Sequence, residues 1–196
     1  MEKLFCAAIV AAVLTFVGSL WIDKLYAAST ELTFPEKISE RSKFRKPLIF
    51  CALTIFFCLS TDWRISAAIF LLTLMTTTDF EQYMLFDAMT LPLAIFGVFY
   101  AWQTNFLEHA AAALIGGGFF LLLAFATKAL GGGDVKLITA VGFWLGCEKL
   151  LNVVLVGSIA GGISALLMIL AKKKDRSSYF AYGPYFTLTA IYFLLT

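Results

Sequence analysis

Apolar residues in this chain fall in long, nearly unbroken runs rather than alternating with polar ones. The runs cover 4–22, 47–60, 65–78, 88–102, 107–130, 135–147, 150–171 and 182–196, and only 23–46 is a long polar stretch. A bilayer core of about 30 Å asks for about 20 apolar residues per helix. The pattern therefore predicts an all-α, polytopic membrane protein with about eight transmembrane helices. The short runs 47–60, 65–78 and 135–147 would give six or seven if they merged, or would borrow flanking residues from the junctions. Pro92 falls near the start of its run, where proline is tolerated. Gly157, Ser158, Ala160, Gly161, Gly162 and Ser164 make the run 150–171 suited to close helix packing. The chain reads as a single integral-membrane domain over 1–196.

Composition removes the soluble alternative. Hydrophobic residues are 61 % and charged residues 14 %, where a soluble domain carries about 25 % charged residues. The first run is longer than the apolar part of a cleavable signal and lacks a small-residue cleavage site, so it reads as retained. Cys6, Cys51, Cys58 and Cys147 lie in apolar stretches and form no C-x-x-C pair, which points away from zinc and disulfides and towards buried thiols.

Charge placement orients the chain. With 23–46 in the cytoplasm, that side collects Lys24, Lys37, Arg41, Lys43, Arg45, Lys46, Lys128, Lys136, Lys172, Lys173, Lys174 and Arg176. The other side keeps Lys3, Arg64 and Lys149. These basic residues read as topology anchors, not as a nucleic-acid surface. The same arrangement puts Asp79, Asp87 and Asp134 at the cytoplasmic face, although no acid entered the count.

Asp79 and Asp134 are the candidate chemistry. Asp79 follows the run 65–78, and Asp134 follows Gly131-Gly132-Gly133 and opens the next apolar run. Ionisable groups at membrane helices are costly and mark functional sites. Two carboxylates about 3 Å apart cannot both ionise and divide into an acid and a base, as water-activated peptide hydrolysis requires. Glycines without Cβ let a peptide backbone come close. The plainer reading of Asp134 is an N-cap or a partner of the helix dipole, whereas a carboxylate at a helix C-terminus, as at Asp79, is unfavourable.

These stretches resemble the type IV prepilin peptidase family of intramembrane aspartic proteases, with its Gly-x-Gly-Asp signature. That signature is matched by Gly131-Gly132-Gly133-Asp134-Val135-Lys136-Leu137, followed by Gly142-Phe143-Trp144-Leu145-Gly146. The stretch from Asp79 through Asp87 to Pro92 is similar to the family's first-aspartate region, and Tyr182-Gly183-Pro184-Tyr185-Phe186 to the start of its last helix. Gly18-Ser19-Leu20 is a weaker match. The resemblance covers most of 60–196. It implies Asp79 and Asp134 as the catalytic pair, with Gly131 and Gly133 shaping the site. It also implies removal of basic leader peptides from prepilins or pseudopilins of type IV pili or type II secretion, in the bacterial cytoplasmic (inner) membrane at its cytoplasmic face. Phe86 stands where the family usually has proline. Many members carry two C-x-x-C pairs in a zinc-binding domain after the first helix and N-methylate the product. The stretch 23–46 has no cysteine, so zinc is not expected, and S-adenosylmethionine enters only if methyl transfer is retained.

Lys136, two residues beyond Asp134, reads either as a substrate tether or as an interfacial lysine with a snorkelling stem. Asp87 reads as a site-shaping third acid or as the dipole partner of the next helix. Glu81 and Glu108 read as interfacial charges, and His109, the single histidine, falls at the end far from the aspartates. The competing functions are an ion-coupled transporter, which would place its acids near the midplane of broken helices, and a non-catalytic subunit of a pilus or secretion machine.

Overall fold

The computed structural model describes residues 2–127, 130–171 and 181–196, and among these the regular structure is entirely helical. In chain order come α1 (Glu2–Ala28), α2 (Ile38–Arg41), α3 (Arg45–Leu59), α4 (Trp63–Gln82), α5 (Asp87–Gln103), α6 (Phe106–Thr127), α7 (Gly132–Leu170) and α8 (Gly183–Leu195). The single turn α2 lies between two 3₁₀ turns, Pro35–Lys37 and Ser42–Phe44, so the polar stretch is a chain of short turns. Lys128, Lys172, Lys173, Lys174 and Arg176, counted above as anchors, lie outside the described residues.

Each apolar run becomes a helix or part of one. Glu2–Ala28, Phe106–Ala126 and Gly132–Leu170 are each long and apolar enough to cross a membrane, and Gly183–Leu195 is a shorter apolar helix. The outer surface supports the same conclusion. Phe5, Phe16, Phe99, Leu107, Leu122, Phe125 and Leu167 are all exposed, far more continuous apolar surface than water tolerates. This is an all-α membrane protein.

Two runs meet inside α7. Gly146 interrupts the helix with φ 72° and ψ −178°. A Cβ on Gly116 of α6 would sit 3.2 Å from Ile138 and 2.6 Å from Leu150, yet on a straight helix residues 138 and 150 would stand about 18 Å apart. The chain therefore folds back at Gly146, and α7 is two limbs, as the separate runs 135–147 and 150–171 predict. The first limb packs against α6 almost backbone to backbone, since a Cβ on Gly142 would lie 2.6 Å from the Cα of Ala113. Trp144 ties the same limb to α5: its indole N–H donates to the Leu93 carbonyl at 2.8 Å, and its ring stacks on Tyr100. The second limb runs beside α8, with Phe186 over Gly157 and Tyr182 over Gly161.

The sequence boundaries shift at the places that matter most. The run ending at residue 78 continues as helix to Gln82, so Asp79 lies within the last turn of α4 and not beyond it. Residues 79–87, expected as a short amphipathic crossing, shrink to a link of residues 83–86 before α5. Tyr83 closes α4 in the left-handed region (φ 55°), with its N–H bonded to the Asp79 carbonyl at 2.9 Å.

Candidate active site

Asp79 and Asp134 come to the same end of the bundle, within electrostatic reach of one another. Three helix ends bring them there: the C-terminus of α4, the N-terminus of α7 and the N-terminus of α8. Asp79 is buried, with 5 % of its surface exposed. Its carboxylate accepts a hydrogen bond from the Gly183 backbone N–H at the start of α8. Oδ2 has no hydrogen-bond partner among the described residues. Buried polar atoms are nearly always paired, so this oxygen stands out as one left for a proton, a water or a substrate atom.

Asp134 is held differently. Gly131 is the N-cap of α7, and Asp134 is its third helical residue. Its backbone N–H bonds to the Gly131 carbonyl at 3.1 Å, while its carboxylate accepts from the Gly131 backbone N–H. This is half of a capping box, in which an acid at the third position reaches back to the cap N–H. Asp134 is thus not the cap itself, and it is only half-buried.

The three glycines serve different ends. A Cβ on Gly133 would meet the Leu85 Cβ at 3.0 Å, so this glycine lets the link 83–86 lie against the start of α7. Gly131 supplies the N–H to Asp134, but a Cβ there would meet nothing nearer than 3.8 Å, and one on Gly132 nothing within 4 Å. Gly183 is the tightest: a Cβ there would sit 2.6 Å from Asp79 Oδ2. Sequence reasoning noted the Tyr-Gly-Pro string without assigning Gly183 to the site, although its spacing from Pro184 at a helix start was the available signal.

Lys136 and Asp87 meet each other and not the dyad. Lys136 Nζ donates to both Asp87 carboxylate oxygens at 2.7 Å, joining α7 to α5 through side chains 56 % and 69 % exposed. Such a pair contributes little stability. It borders a groove of about 390 Å³ lined by Thr90, Leu91, Ala94, Val135, Thr139 and Ala140. His109 lies at the other end of the bundle, where its ring bonds the Phe143 carbonyl at 2.9 Å, a link between α6 and α7.

Glu81 departs from the sequence reading. It is buried, not interfacial. Both its oxygens are taken by Arg45, through Nε at 2.9 and 3.1 Å and Nη2 at 2.7 Å, and Tyr26 OH adds a bond at 3.0 Å. Arg45 also pairs with Asp23. Beside it, Arg41 donates to the carbonyls of Glu81 at 2.8 Å and Phe80 at 3.3 Å. Gln82, fully buried, exchanges two bonds with the backbone of Phe34, at 2.9 and 3.2 Å. Arginines of the polar stretch, expected only as anchors, thus hold the end of the helix that carries Asp79.

The fold is thus a bundle of membrane helices with two carboxylates within electrostatic reach of each other at one end. Residues 66–166, which include both aspartates, match the type IV leader peptidase family, and the chain belongs to that family. It is similar to prepilin leader peptidase/N-methyltransferases of Xanthomonas campestris pv. campestris (29 % identity, 69 % of this chain, 54 % of the relative) and Pectobacterium carotovorum subsp. carotovorum (29 %, 66 % and 50 %). Its similarity to the protein of that name from Neisseria gonorrhoeae is 35 % over 61 % of this chain and 43 % of the relative. The chain spans about half the length of the curated relatives it matches. No solved structure matches it.

Proposed function

We propose that this chain is an aspartic endopeptidase that removes the basic leader from type IV prepilins or pseudopilins, using Asp79 and Asp134. The observation that carries the reading is the convergence of the two carboxylates at one bundle end, with Asp79 Oδ2 buried and unpartnered. Family membership, and the name shared by the relatives, supplies the substrate class. Both acids sit in terminal turns, not at mid-helix, which fits a cut at the membrane surface better than ion transport through the midplane.

The two carboxylates share one proton. Asp134, half-buried at a helix N-terminus, takes a proton from water as the water oxygen attacks the scissile carbonyl carbon. Asp79 gives the shared proton to the carbonyl oxygen, forming a neutral gem-diol. Return of the proton from Asp134 to the amide nitrogen, with one gem-diol hydroxyl giving its proton back to Asp79, breaks the C–N bond and releases a carboxylic acid and an amine. Gly131 gives its N–H to the Asp134 carboxylate, and Gly133 lets the link 83–86 lie beside it. Zinc has no step in this reaction, and S-adenosylmethionine enters only with a retained methyl transfer. The basic residues of 23–46 support a cytoplasmic setting for this end of the bundle, at the inner membrane of a bacterium.

The test is cleavage of a prepilin-like substrate in detergent by the intact protein, Asp79→Asn and Asp134→Asn. General acid–base groups contribute about 10²–10⁴-fold each, so either substitution is expected to lower the rate at least that far while the protein still inserts. Normal cutting by both variants would overturn the assignment.

A further inference from the structure

We infer that the buried Arg45–Glu81 ion pair is a positioning device: it fixes the last turn of α4 and so sets the Asp79 carboxylate opposite Asp134. The inference rests on the two-aspartate reading above and assigns a task to charged groups which that reading leaves unused.

Residues 79 and 81 project about 200° apart on a helix. Asp79 faces α8 and the start of α7, while Glu81 faces α1 and α3 through Tyr26 and Arg45. The turn between them is a helix terminus, the part of a helix that frays most readily. Here its residues are tethered in succession. Arg41 holds the carbonyls of Phe80 and Glu81, Arg45 and Tyr26 hold the Glu81 side chain, and Phe34 holds Gln82. These tethers come from α1, α2, α3 and Phe34, and none from α7, which carries Asp134.

Stability alone does not account for the pair. The Arg45 side chain is 2 % exposed and that of Glu81 6 %, and a buried ion pair stabilises no more than apolar residues of the same volume. What it supplies is direction. A forked guanidinium against a carboxylate allows few geometries, and the pair joins the helix of one catalytic acid to the start of α3. A misplacement of about 1 Å can lower a rate about 10²-fold. Glu81 and Arg45 touch no reacting atom, so they act through Asp79.

The experiment compares the intact enzyme with Glu81→Gln, Arg45→Lys and Tyr26→Phe, each purified and shown monodisperse, with kcat and KM measured separately. Expected is a kcat about 10- to 100-fold lower for Glu81→Gln and Arg45→Lys, a smaller loss for Tyr26→Phe, and KM within about twofold. Two controls mark a merely structural effect. Trp144→Phe removes a buried tether at the far end, and Asp23→Asn removes the exposed partner of Arg45; both should keep kcat. A second readout needs no catalysis. In a background without native cysteines, Asp79→Cys with Asp134→Cys should form a disulfide several-fold more slowly once Glu81→Gln is added. An unchanged kcat together with an unchanged cross-linking rate overturns the positioning role. If the intact protein does not cut but the cross-linking rate still falls, the peptidase reading fails while the positioning of residue 79 stands.

Discussion

The 2.6 Å between a Cβ at residue 183 and Asp79 Oδ2 sets a sharp test of single residues. Gly183→Ala must push the carboxylate away or lift the α8 N-terminus, and either movement breaks the N–H bond to Asp79. Cleavage is expected to fall at least about 10²-fold, with the protein still inserted. Gly132→Ala, which meets nothing within 4 Å, should cut at close to the rate of the intact chain. Measuring the two side by side separates the need for a close approach from a general need for flexible glycines. At the other end of α4, Asp62 accepts the Arg64 backbone N–H at 2.9 Å and binds its guanidinium. The Arg64 hydrogen bonds hold the Asp62 carboxyl below the usual carboxylate range. A depressed folded value gives stability that is present above the ordinary value of about 3.9 and is lost as pH falls through the folded one. The Tm gap between the intact protein and Asp62→Asn should therefore be open at neutral pH and close in acid.

Among the elements, Gly146 bears the sharpest demand. Its φ of 72° suits glycine, and a Cβ there would lie 2.6 Å from Glu108 Oε1. A non-glycine residue at positive φ with extended ψ costs roughly 1–3 kcal/mol before any clash, so Gly146→Ala should lower the Tm by several degrees while its kcat per folded molecule holds. Helix existence was legible from the chain because lipid-facing runs have no polar interruption, but the turn expected at Glu148-Lys149, between the runs 135–147 and 150–171, falls at Gly146. The end of α4 was not legible. Hydropathy stops at Thr78, but the helix runs on through Asp79, Glu81 and Gln82 because partners from 23–46 satisfy the last two. Those partners lie 36 to 48 residues away in sequence, a distance that no local pattern reveals. For the same reason the two aspartates could be named from the chain, whereas Gly183, Arg45 and Glu81 needed the packing.

For the molecule as a whole, the alternation of helix ends divides the described surface into two poles. Thr61, Asn105 and Gly146 lie at one, and Glu31, Leu85 and Gly132 at the other. With the aspartate end in the cytoplasm, a membrane-impermeant thiol reagent should label Asn105→Cys in intact cells and Glu31→Cys or Gly132→Cys only after the membrane is opened, all in a background without native cysteines. The opposite pattern would reverse the proposed orientation. The reversal at Gly146 also bears on how the chain is made. With the two limbs of α7 joined at Gly146 and no loop between them, they are expected to enter the bilayer as a pair, carrying Glu148 beside Lys149, adjacent charges of opposite sign, at their tip. Replacing Glu148 with lysine would leave a doubly positive tip, and a growing chain that stalls at that step should leave the second limb, and with it α8, on the wrong side of the membrane.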